Sequence, residues 1–183
     1  MLLIAEALAA SPGVPALSEE ERARLEAGEV VVQTDLGGER TVSTGVVRVR
    51  ATPDRVWPAV LDFQARIPEN ASLKQVTEYR RDGPEDWFIA FDMNVFGIKA
   101  VVHDHWQCEL ARNVCSWALD PSVSSDLALN EGFMYVDPRP SDSLLVFHSE
   151  LVAKMWAPGW IRRWLAEDSM ENVLDHIRVR AER

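Results

Sequence analysis

Residues 48–67 read RVRATPDRVWPAVLDFQARI, and this stretch decides the fold because a strand-like run passes directly into a helix within it. Thr52 is a suitable N-cap, and Pro53 suits the first helical position, where its missing N–H would have had no partner. Pro58 should kink the helix, since it removes one backbone hydrogen bond. One face of this helix is apolar and consists of Val56, Trp57, Val60 and Leu61.

The chain before this stretch predicts a short helix and then extended structure. Ser18 with Glu21 three residues later matches a capping box, and Gly28 is a suitable end for the helix that would follow. From Val30 to Ala51 the residues are typical of β-structure, with a turn signal at Gly37-Gly38. We assign residues 1–28 to an N-terminal segment and residues 29–183 to a single domain.

The apolar start of the N-terminal segment has two interpretations. Residues 1–16 resemble the later half of a secretory leader, but they lack a basic region and Glu6 interrupts the apolar run. The alternative is a terminal segment that is loose or docked on the domain. The sequence slightly favours a cytoplasmic location, and a leader remnant would instead indicate export.

After the short helix, six strand-like segments follow one another with short connections, and a long helix ends the chain. The segments span residues 75–81, 86–95, 99–110, 114–119, 129–137 and 143–153, and the helix starts near Pro158. Runs of strands followed by a helix indicate an α+β fold in which the helix covers one face of an antiparallel sheet.

Several parts of this pattern resemble the SRPBCC superfamily, which includes START-type lipid-transfer domains and polyketide cyclase/aromatase-like proteins. The similarity covers about residues 29–180 and rests on Ala51, Pro53, Val56, Trp57, Leu61 and Asp62, on NVCSWAL (113–119), on Gly132 before FMYVDP, and on PGWIRRWLAEDSMENVLDHI (158–177). The resemblance implies the helix-grip fold. In that fold a seven-stranded antiparallel sheet wraps around a long C-terminal helix and encloses an apolar cavity, with two short helices between the first and second strands. Pro58 departs from the family pattern.

Alternation along the strands predicts which side chains face the cavity. The odd positions from Trp87 to Val95 are apolar, as are most even positions from Ala100 to Cys108. Asp104 is the exception, and a buried acid is costly unless it is paired or its pKa rises. It either anchors a ligand hydroxyl or acts as an acid or base, or else it forms a salt bridge with an arginine or lies at an exposed strand end.

The candidate wall combines these strands with the short helix and the C-terminal helix. Its members are Trp57, Trp87, Phe91, Met93, Val102, Asp104, Trp106, Trp117, Phe133, Phe147 and Met170. In the last strand, alternation does not decide whether Phe147 or His148 points inward.

Two cysteines flank the turn ELARNV. A two-residue loop at Ala111-Arg112 would place Cys108 opposite Cys115, and also Trp106 opposite Trp117. The cysteines form a disulfide in an oxidising compartment or remain two reduced thiols, and the sequence favours the thiols.

The sequence indicates neither a metal site nor a catalytic motif. His103 and His105 share a strand face, but zinc needs further ligands, so we expect solvated histidines there. We expect no cofactor, and we assign no catalytic residue.

The C-terminal helix has two apolar faces that differ by roughly 165°. The first face carries Trp160, Ile161, Trp164 and Leu165, and the second carries Ala166, Met170, Val173, Leu174 and Ile177. Either the helix bends near Asp168-Ser169 or its first half contacts something other than the sheet. A patch of aromatic and basic residues would suit a membrane interface or a protein partner; its members are Trp156, Trp160, Arg162, Arg163 and Trp164. The alternative is that both faces are buried, one of them under the N-terminal segment.

The net charge of −10 argues against nucleic acid as a partner, since phosphate binding needs a basic face. The family resemblance favours the binding or transport of one hydrophobic small molecule, such as a lipid, sterol, isoprenoid or polyketide-like compound. One alternative is an enzyme of the polyketide cyclase/aromatase type. A second is a module that docks on a membrane or protein through the tryptophan patch. The sequence predicts no oligomeric state.

Overall fold

The computed structural model describes residues 12–154 and 159–183. Within these ranges the strands are β1 (Val31–Asp35), β2 (Thr41–Val49), β3 (Leu73–Gly83), β4 (Asp86–Val95), β5 (Ile98–Glu109), β6 (Val114–Leu119), β7 (Leu127–Pro138) and β8 (Ser143–Ala153). The helices are α1 (Glu19–Glu26), α2 (Pro53–Leu61), α3 (Arg66–Glu69), α4 (Gly159–Ala166) and α5 (Asp168–Glu182). A short 3-10 turn at Leu110–Arg112 joins β5 to β6.

All eight strands form one antiparallel sheet in the order β1-β2-β8-β7-β6-β5-β4-β3. The expected α+β arrangement, a curved antiparallel sheet against a C-terminal helix, is therefore confirmed. The sheet has eight strands rather than seven because the Gly37-Gly38 turn folds the first extended run into the β1–β2 hairpin. Gly38 has a φ of 61°, a value that favours glycine at this turn.

Helix α5 packs on one face of the sheet, which we call the concave face. Its buried stripe consists of Met170, Leu174, Ile177 and Ala181. Gly45 in β2 allows this close approach, because a Cβ there would lie 2.5 Å from Leu174 Cδ1 and 2.9 Å from Met170 Sδ. Together with α2 and the inward residues of the sheet, this stripe forms the main hydrophobic core.

The C-terminal helical region is divided into α4 and α5 at Glu167, whose φ and ψ are −100° and −70°. The expectation of one continuous helix is therefore wrong, and the alternative of a bend near residue 168 is confirmed. The division resolves the conflict between the two apolar faces, because α4 and α5 need not present the same face to the sheet.

The short helix of the opening stretch forms as expected, with Thr52 at the N-cap and Pro53 in the first turn. It continues through Pro58 to Leu61. The side chain of Pro58 is exposed, so the missing backbone bond lies away from the core.

The N-terminal segment packs on the opposite, outer face of the sheet. The capping box is confirmed, because Glu21 N donates to Ser18 Oγ and Ser18 N donates to Glu21 Oε2 at 2.7 Å. An outer cluster forms beneath it from Leu25, Val31, Val46, Leu144 and Val146. The described part of the segment therefore does not cover the tryptophans of α4, contrary to the alternative in which it buried them.

Candidate functional site

One half of the concave face is a solid wall of tryptophans. Trp87, Trp106 and Trp117 occupy neighbouring positions on β4, β5 and β6, each with 7% or less of its surface exposed. The Trp106 and Trp117 rings stack with centroids 4.5 Å apart. Gly132 lies beneath Trp117, because a Cβ there would overlap the Trp117 ring and the backbone oxygen of His148. This half of the wall is filled by its own side chains.

Trp57 of α2 closes the same end of the sheet. It is buried, and its Nε1 donates a hydrogen bond to Asn113 Oδ1 at 3.3 Å. Asn113 has a left-handed conformation and ends the turn between β5 and β6. The expected inward position of Trp57 therefore agrees with the structure.

The other half of the concave face is less filled. Phe91, Met93 and Phe147 pack against the main core, yet each keeps part of its surface accessible. Val102, opposite Phe91 in the β4–β5 register, is buried, as is Met170 of α5. Apolar surface is thus available for contact at this half of the wall.

The sheet register shows which of Phe147 and His148 in β8 points toward the concave face. Phe147 lies opposite Met134 and faces the main core, whereas His148 lies on the outer face. The expected inward position of Phe133 is wrong. Phe133 joins the outer cluster and stacks on the His148 ring at 5.1 Å, because alternation from Gly132 gives the inward position to Met134. Met134 is fully buried and was missed by the sequence analysis.

Asp104 is the polar group of the concave face that the sequence singled out. Its side chain is 2% exposed, between Ile89 of β4 and Leu119 of β6. Both carboxyl oxygens accept from Asn130 Nδ2, each at 2.9 Å. Among the described residues no Lys, Arg or His forms a salt bridge with it, so the alternative of an arginine partner is wrong.

Burial raises the pKa of Asp104 from 3.8 to about 7, and the hydrogen bond from Asn130 opposes part of this rise. Near neutral pH the carboxyl group is therefore close to half protonated. It can accept a hydrogen bond from a hydroxyl group when ionised and donate one to a carbonyl group when protonated. Asn130 was missed by the sequence analysis, because the expected inward position of Phe133 would by alternation have put Asn130 on the outer face.

An exposed aromatic group lies at the end of the sheet beside α4. Trp160 is 60% exposed and Phe96, at the tip of the β4–β5 hairpin, is 57% exposed, with ring centroids 5.0 Å apart. Trp164 contacts Phe96 at 5.1 Å. Phe96 was missed, although the Phe96-Gly97 turn signal placed it at a hairpin tip.

The two basic residues of the expected patch, Arg162 and Arg163, have different surroundings. Arg162 donates to the backbone oxygen of Gly38, while Arg163 is exposed. Lys154, which is not a member of the patch but lies close to it in the sequence, is exposed and its Nζ donates to Ser125 O at 2.6 Å. Trp156 lies outside the described residues. The structure thus brings Trp160 and Trp164 together on Phe96, at one edge of α4.

The cysteines are joined in a disulfide at opposite positions of β5 and β6, with Cα atoms 3.9 Å apart. The reduced pair that the sequence favoured is therefore not the state of this structure. The predicted register is confirmed, including Trp106 opposite Trp117, although a 3-10 turn replaces the two-residue loop.

The strand histidines make contacts on the outer face. His105 Nε2 lies 2.7 Å from Asp86 Oδ1 and its ring stacks on Phe88, while His103 contacts Tyr79 edge-on. In residues 12–154 and 159–183, no group of three or more His, Cys, Asp or Glu side chains is arranged to hold a metal ion.

A concavity of about 790 Å³ lies on the outer face, between the N-terminal segment and the ends of β2 and β8. Two of the arginines that line it are already paired with carboxylates, Arg48 with Asp142 and Arg139 with Asp137. These two ion pairs occupy the arginines of β2 and of the β7–β8 turn at this concavity.

None of the helices in the described ranges has the length and apolar character needed to cross a membrane.

The architecture is similar to that of several solved proteins, whereas no protein-family model and no curated protein sequence matches the chain. The STAR-related lipid transfer protein of Xanthomonas axonopodis aligns with a TM-score of 0.68 at 14% identity, covering 84% of this chain and 93% of that one. The Zhui aromatase/cyclase of Streptomyces sp. R1128 aligns with a TM-score of 0.66 at 16% identity, covering 79% and 94%. A START superfamily protein of Mycobacterium smegmatis aligns with a TM-score of 0.60 at 20% identity, covering 85% and 98%.

These alignments cover nearly the whole of each solved chain at low sequence identity, so they establish architecture. The helix-grip fold that the resemblance implied is therefore confirmed, and the chain shares it with these START-type and aromatase/cyclase structures.

Proposed function

We propose that this protein binds one hydrophobic small molecule against the less filled half of the concave face, beneath α4. The observation that carries the proposal is Asp104, a buried carboxyl without a cationic partner, on a wall whose neighbouring Phe91 and Met93 remain partly accessible. Pockets for small ligands are typically apolar with a few polar groups that fix orientation. The resemblance to lipid-transfer and aromatase/cyclase folds supports this class of ligand.

The energetics follow from apolar burial. At about 25 cal/mol per Å², a ligand that loses roughly 300 Å² of apolar surface gains about 7 kcal/mol before the cost of association. Asp104 adds orientation rather than most of the affinity, since one hydrogen bond to a charged group contributes about 1.5–3 kcal/mol. The contact residues proposed are Phe91, Met93, Val102, Asp104, Phe147 and Met170. Trp87, Trp106 and Trp117 form the filled wall beside them, and Trp57 closes the end.

Native mass spectrometry of gently purified protein, followed by solvent extraction, tests the proposal. We expect a discrete hydrophobic molecule to be retained at one per chain. Phe91→Ala should weaken rebinding of the extracted molecule at least tenfold. Phe133→Ala is the matched control, since it removes the same ring from the outer face and should leave binding unchanged. A protein that is purified empty and stays empty with lipids and polyketides would reject the proposal.

A second candidate is acid–base catalysis on a bound polyketide-like chain. It is favoured by Asp104, because a general acid or base works best when its pKa lies near the operating pH, and this carboxyl has a pKa of about 7. Asp104→Asn separates the two functions. An enzyme would lose turnover in this variant while still binding its substrate, whereas a carrier has no turnover to lose.

Contact with a membrane would give a carrier access to its ligand, and we propose that Phe96 and Trp160 make this contact. Both rings are more than half exposed and lie beside the exposed Arg163, a combination suited to the membrane interface. Replacing both with alanine should reduce sedimentation with anionic vesicles at least fivefold, without loss of binding to ligand already in solution. Equal sedimentation of variant and wild type would exclude this surface.

A further inference from the structure

Helix α3 places a guanidinium group against the aromatic part of the main core. Arg66 Cζ lies 4.8 Å from the ring centroid of Phe63 and 5.7 Å from that of Trp106. Its Nη2 donates to the backbone oxygen of Val60 at 2.7 Å. The Nε donor is buried and has no hydrogen-bond acceptor among the described residues. Arg66 therefore has an unsatisfied donor beside two rings of the main core.

The charges around Arg66 do not balance. Arg180 of α5 lies close enough to repel it, and the one carboxylate between the two arginines, that of Glu69, forms its ion pair with Arg180. Asp62 is exposed, and its Oδ1 accepts from the backbone N–H of Ala65 at 3.1 Å. Glu69 and the exposed Asp62 both act electrostatically on Arg66, but neither forms an ion pair with it.

Arg180 is better satisfied than Arg66. Besides its pairing with Glu69, Arg180 Nη2 donates to the backbone oxygen of Ala59 at 2.8 Å. No carboxylate of the described residues forms a salt bridge with Arg66. Burial, followed by repulsion from Arg180, lowers the pKa of Arg66 to about 10, which leaves it charged at neutral pH. Arg66 is half-buried and forms no ion pair within the described part of the chain, so an anion that reached it would be bound favourably.

A narrow cleft between α3 and α5 reaches this guanidinium group. It is lined by Arg66, Glu69, Asn70, Asn172, Val173 and His176. Arg66 therefore both lines this cleft and contacts the rings of Phe63 and Trp106. Phe63 in turn contacts Phe91 at 6.0 Å, so the apolar surface continues from Arg66 toward the less filled half of the concave face.

We propose that Arg66 binds the carboxylate of a hydrophobic acid whose apolar chain lies along Phe63 and Phe91. A carboxylate suits the site because its two oxygens can accept from the Nε and a terminal N–H of one guanidinium group. This assignment rests on the proposed function for the apolar chain, and it adds the charge and chemical class of the ligand's polar end.

The test compares dodecanoate with its methyl ester, which has the same chain without the charge. Displacement of a solvatochromic apolar dye at pH 7.5 measures both affinities. We expect wild type to bind dodecanoate at least tenfold more tightly than the ester. Arg66→Met should reduce dodecanoate affinity at least tenfold while leaving ester affinity within twofold. Arg55→Met, which removes an exposed arginine of α2, is the matched control and should change neither affinity.

A second measurement uses the wild-type protein alone, so it does not depend on the folding of a variant. The carboxyl carbon of ¹³C-labelled dodecanoate reports its own protonation by NMR. A carboxylate paired with Arg66 should have its pKa lowered by at least one unit relative to the free acid in water.

The outcomes distinguish this assignment from the proposed function. If wild type binds acid and ester equally, or if Arg66→Met weakens both equally, the assignment of Arg66 is wrong while hydrophobic binding stands. An unshifted pKa of the bound acid would also overturn the assignment. If wild type binds neither compound, both proposals fail.

Discussion

Replacing Asp104 with asparagine should make the protein more stable at pH 8 and slightly less stable at pH 4. Burial raises the pKa of Asp104 from 3.8 to about 7, so the folded state holds this proton more tightly than the unfolded chain does. Stability therefore falls as pH rises between these two pKa values. The full loss is reached above pH 7, where the folded protein must bury the ionised carboxylate.

The magnitude follows from the two pKa values. A difference of about three units, at 1.36 kcal/mol each, corresponds to roughly 4 kcal/mol of stability lost between pH 4 and pH 8. Asparagine cannot ionise, so Asp104→Asn avoids this loss. It gives up part of the hydrogen bonding from Asn130, at about 1 kcal/mol. The variant should be about 3 kcal/mol more stable at pH 8, and the two stability curves should cross near pH 4.5.

Urea denaturation of both proteins at half-unit steps from pH 4 to pH 8 measures this difference. The melting temperature should rise by roughly 6–12 °C at pH 8 for a chain of this length. Asp92→Asn serves as the control, because Asp92 lies on the opposite face of β4 and is not fully buried. A difference between Asp104→Asn and wild type that stays constant from pH 5 to pH 8 would refute the reasoning. So would a variant that is less stable than wild type at pH 8.

Three further predictions concern stability. Gly132→Ala should lower the free energy of unfolding, measured by urea denaturation, by at least about 2 kcal/mol, because the added methyl group overlaps the Trp117 ring and a backbone oxygen. A smaller loss would mean that β7 can shift to make room. Reducing the Cys108–Cys115 disulfide should lower the free energy of unfolding by about 2.4 kcal/mol, which is the contribution of loop-closure entropy at 25 °C for a sequence separation of 7. Unchanged stability in a reductant titration would contradict this. Trp160→Ala should change the free energy of unfolding by less than about 0.5 kcal/mol, since the ring is 60% exposed. A larger loss would show that the ring stabilises α4.

The strand boundaries could be predicted closely because the signals that set them are local. β4, β6 and β8 match the expected ranges residue for residue, since turn residues flank each run of alternating side chains. The capping box at Ser18 is equally local, as Ser18 and Glu21 are only three positions apart. Where a feature depends on neighbours in the chain, the sequence was sufficient.

Features that depend on the partners of a strand were harder to predict. In β8, Phe147 and His148 could not be assigned to a face, because apolar residues occur on both sides of the strand. The structure explains this pattern: the main core covers one face, and the outer cluster beneath α1 covers the other. A strand covered on both faces loses the alternation from which its orientation is read. Phe133 was misassigned for the same reason, since the outer face it occupies is also apolar.

In the candidate site, too, local features could be predicted and features that depend on distant residues could not. Asp104 could be found because one acid interrupts an apolar series along a single strand. Its partner Asn130 lies 26 residues away and reaches it through the pairing of β5, β6 and β7. Arg66 gave no signal, since an arginine in a short polar helix looks like an ordinary surface residue. Only the placement of α3 brings its guanidinium group against Phe63 and Trp106.

The break at Glu167 lets α4 and α5 contact different parts of the sheet. Helix α5 approaches the sheet over Gly45 and packs its buried stripe into the same core as the stacked tryptophans. Helix α4 instead reaches the tips of two hairpins, through the contact of Arg162 with Gly38 and that of Trp164 with Phe96. A single straight helix could not present its two apolar faces to both regions. The break therefore lets α5 complete the core while α4 spans the half of the wall where apolar surface remains accessible.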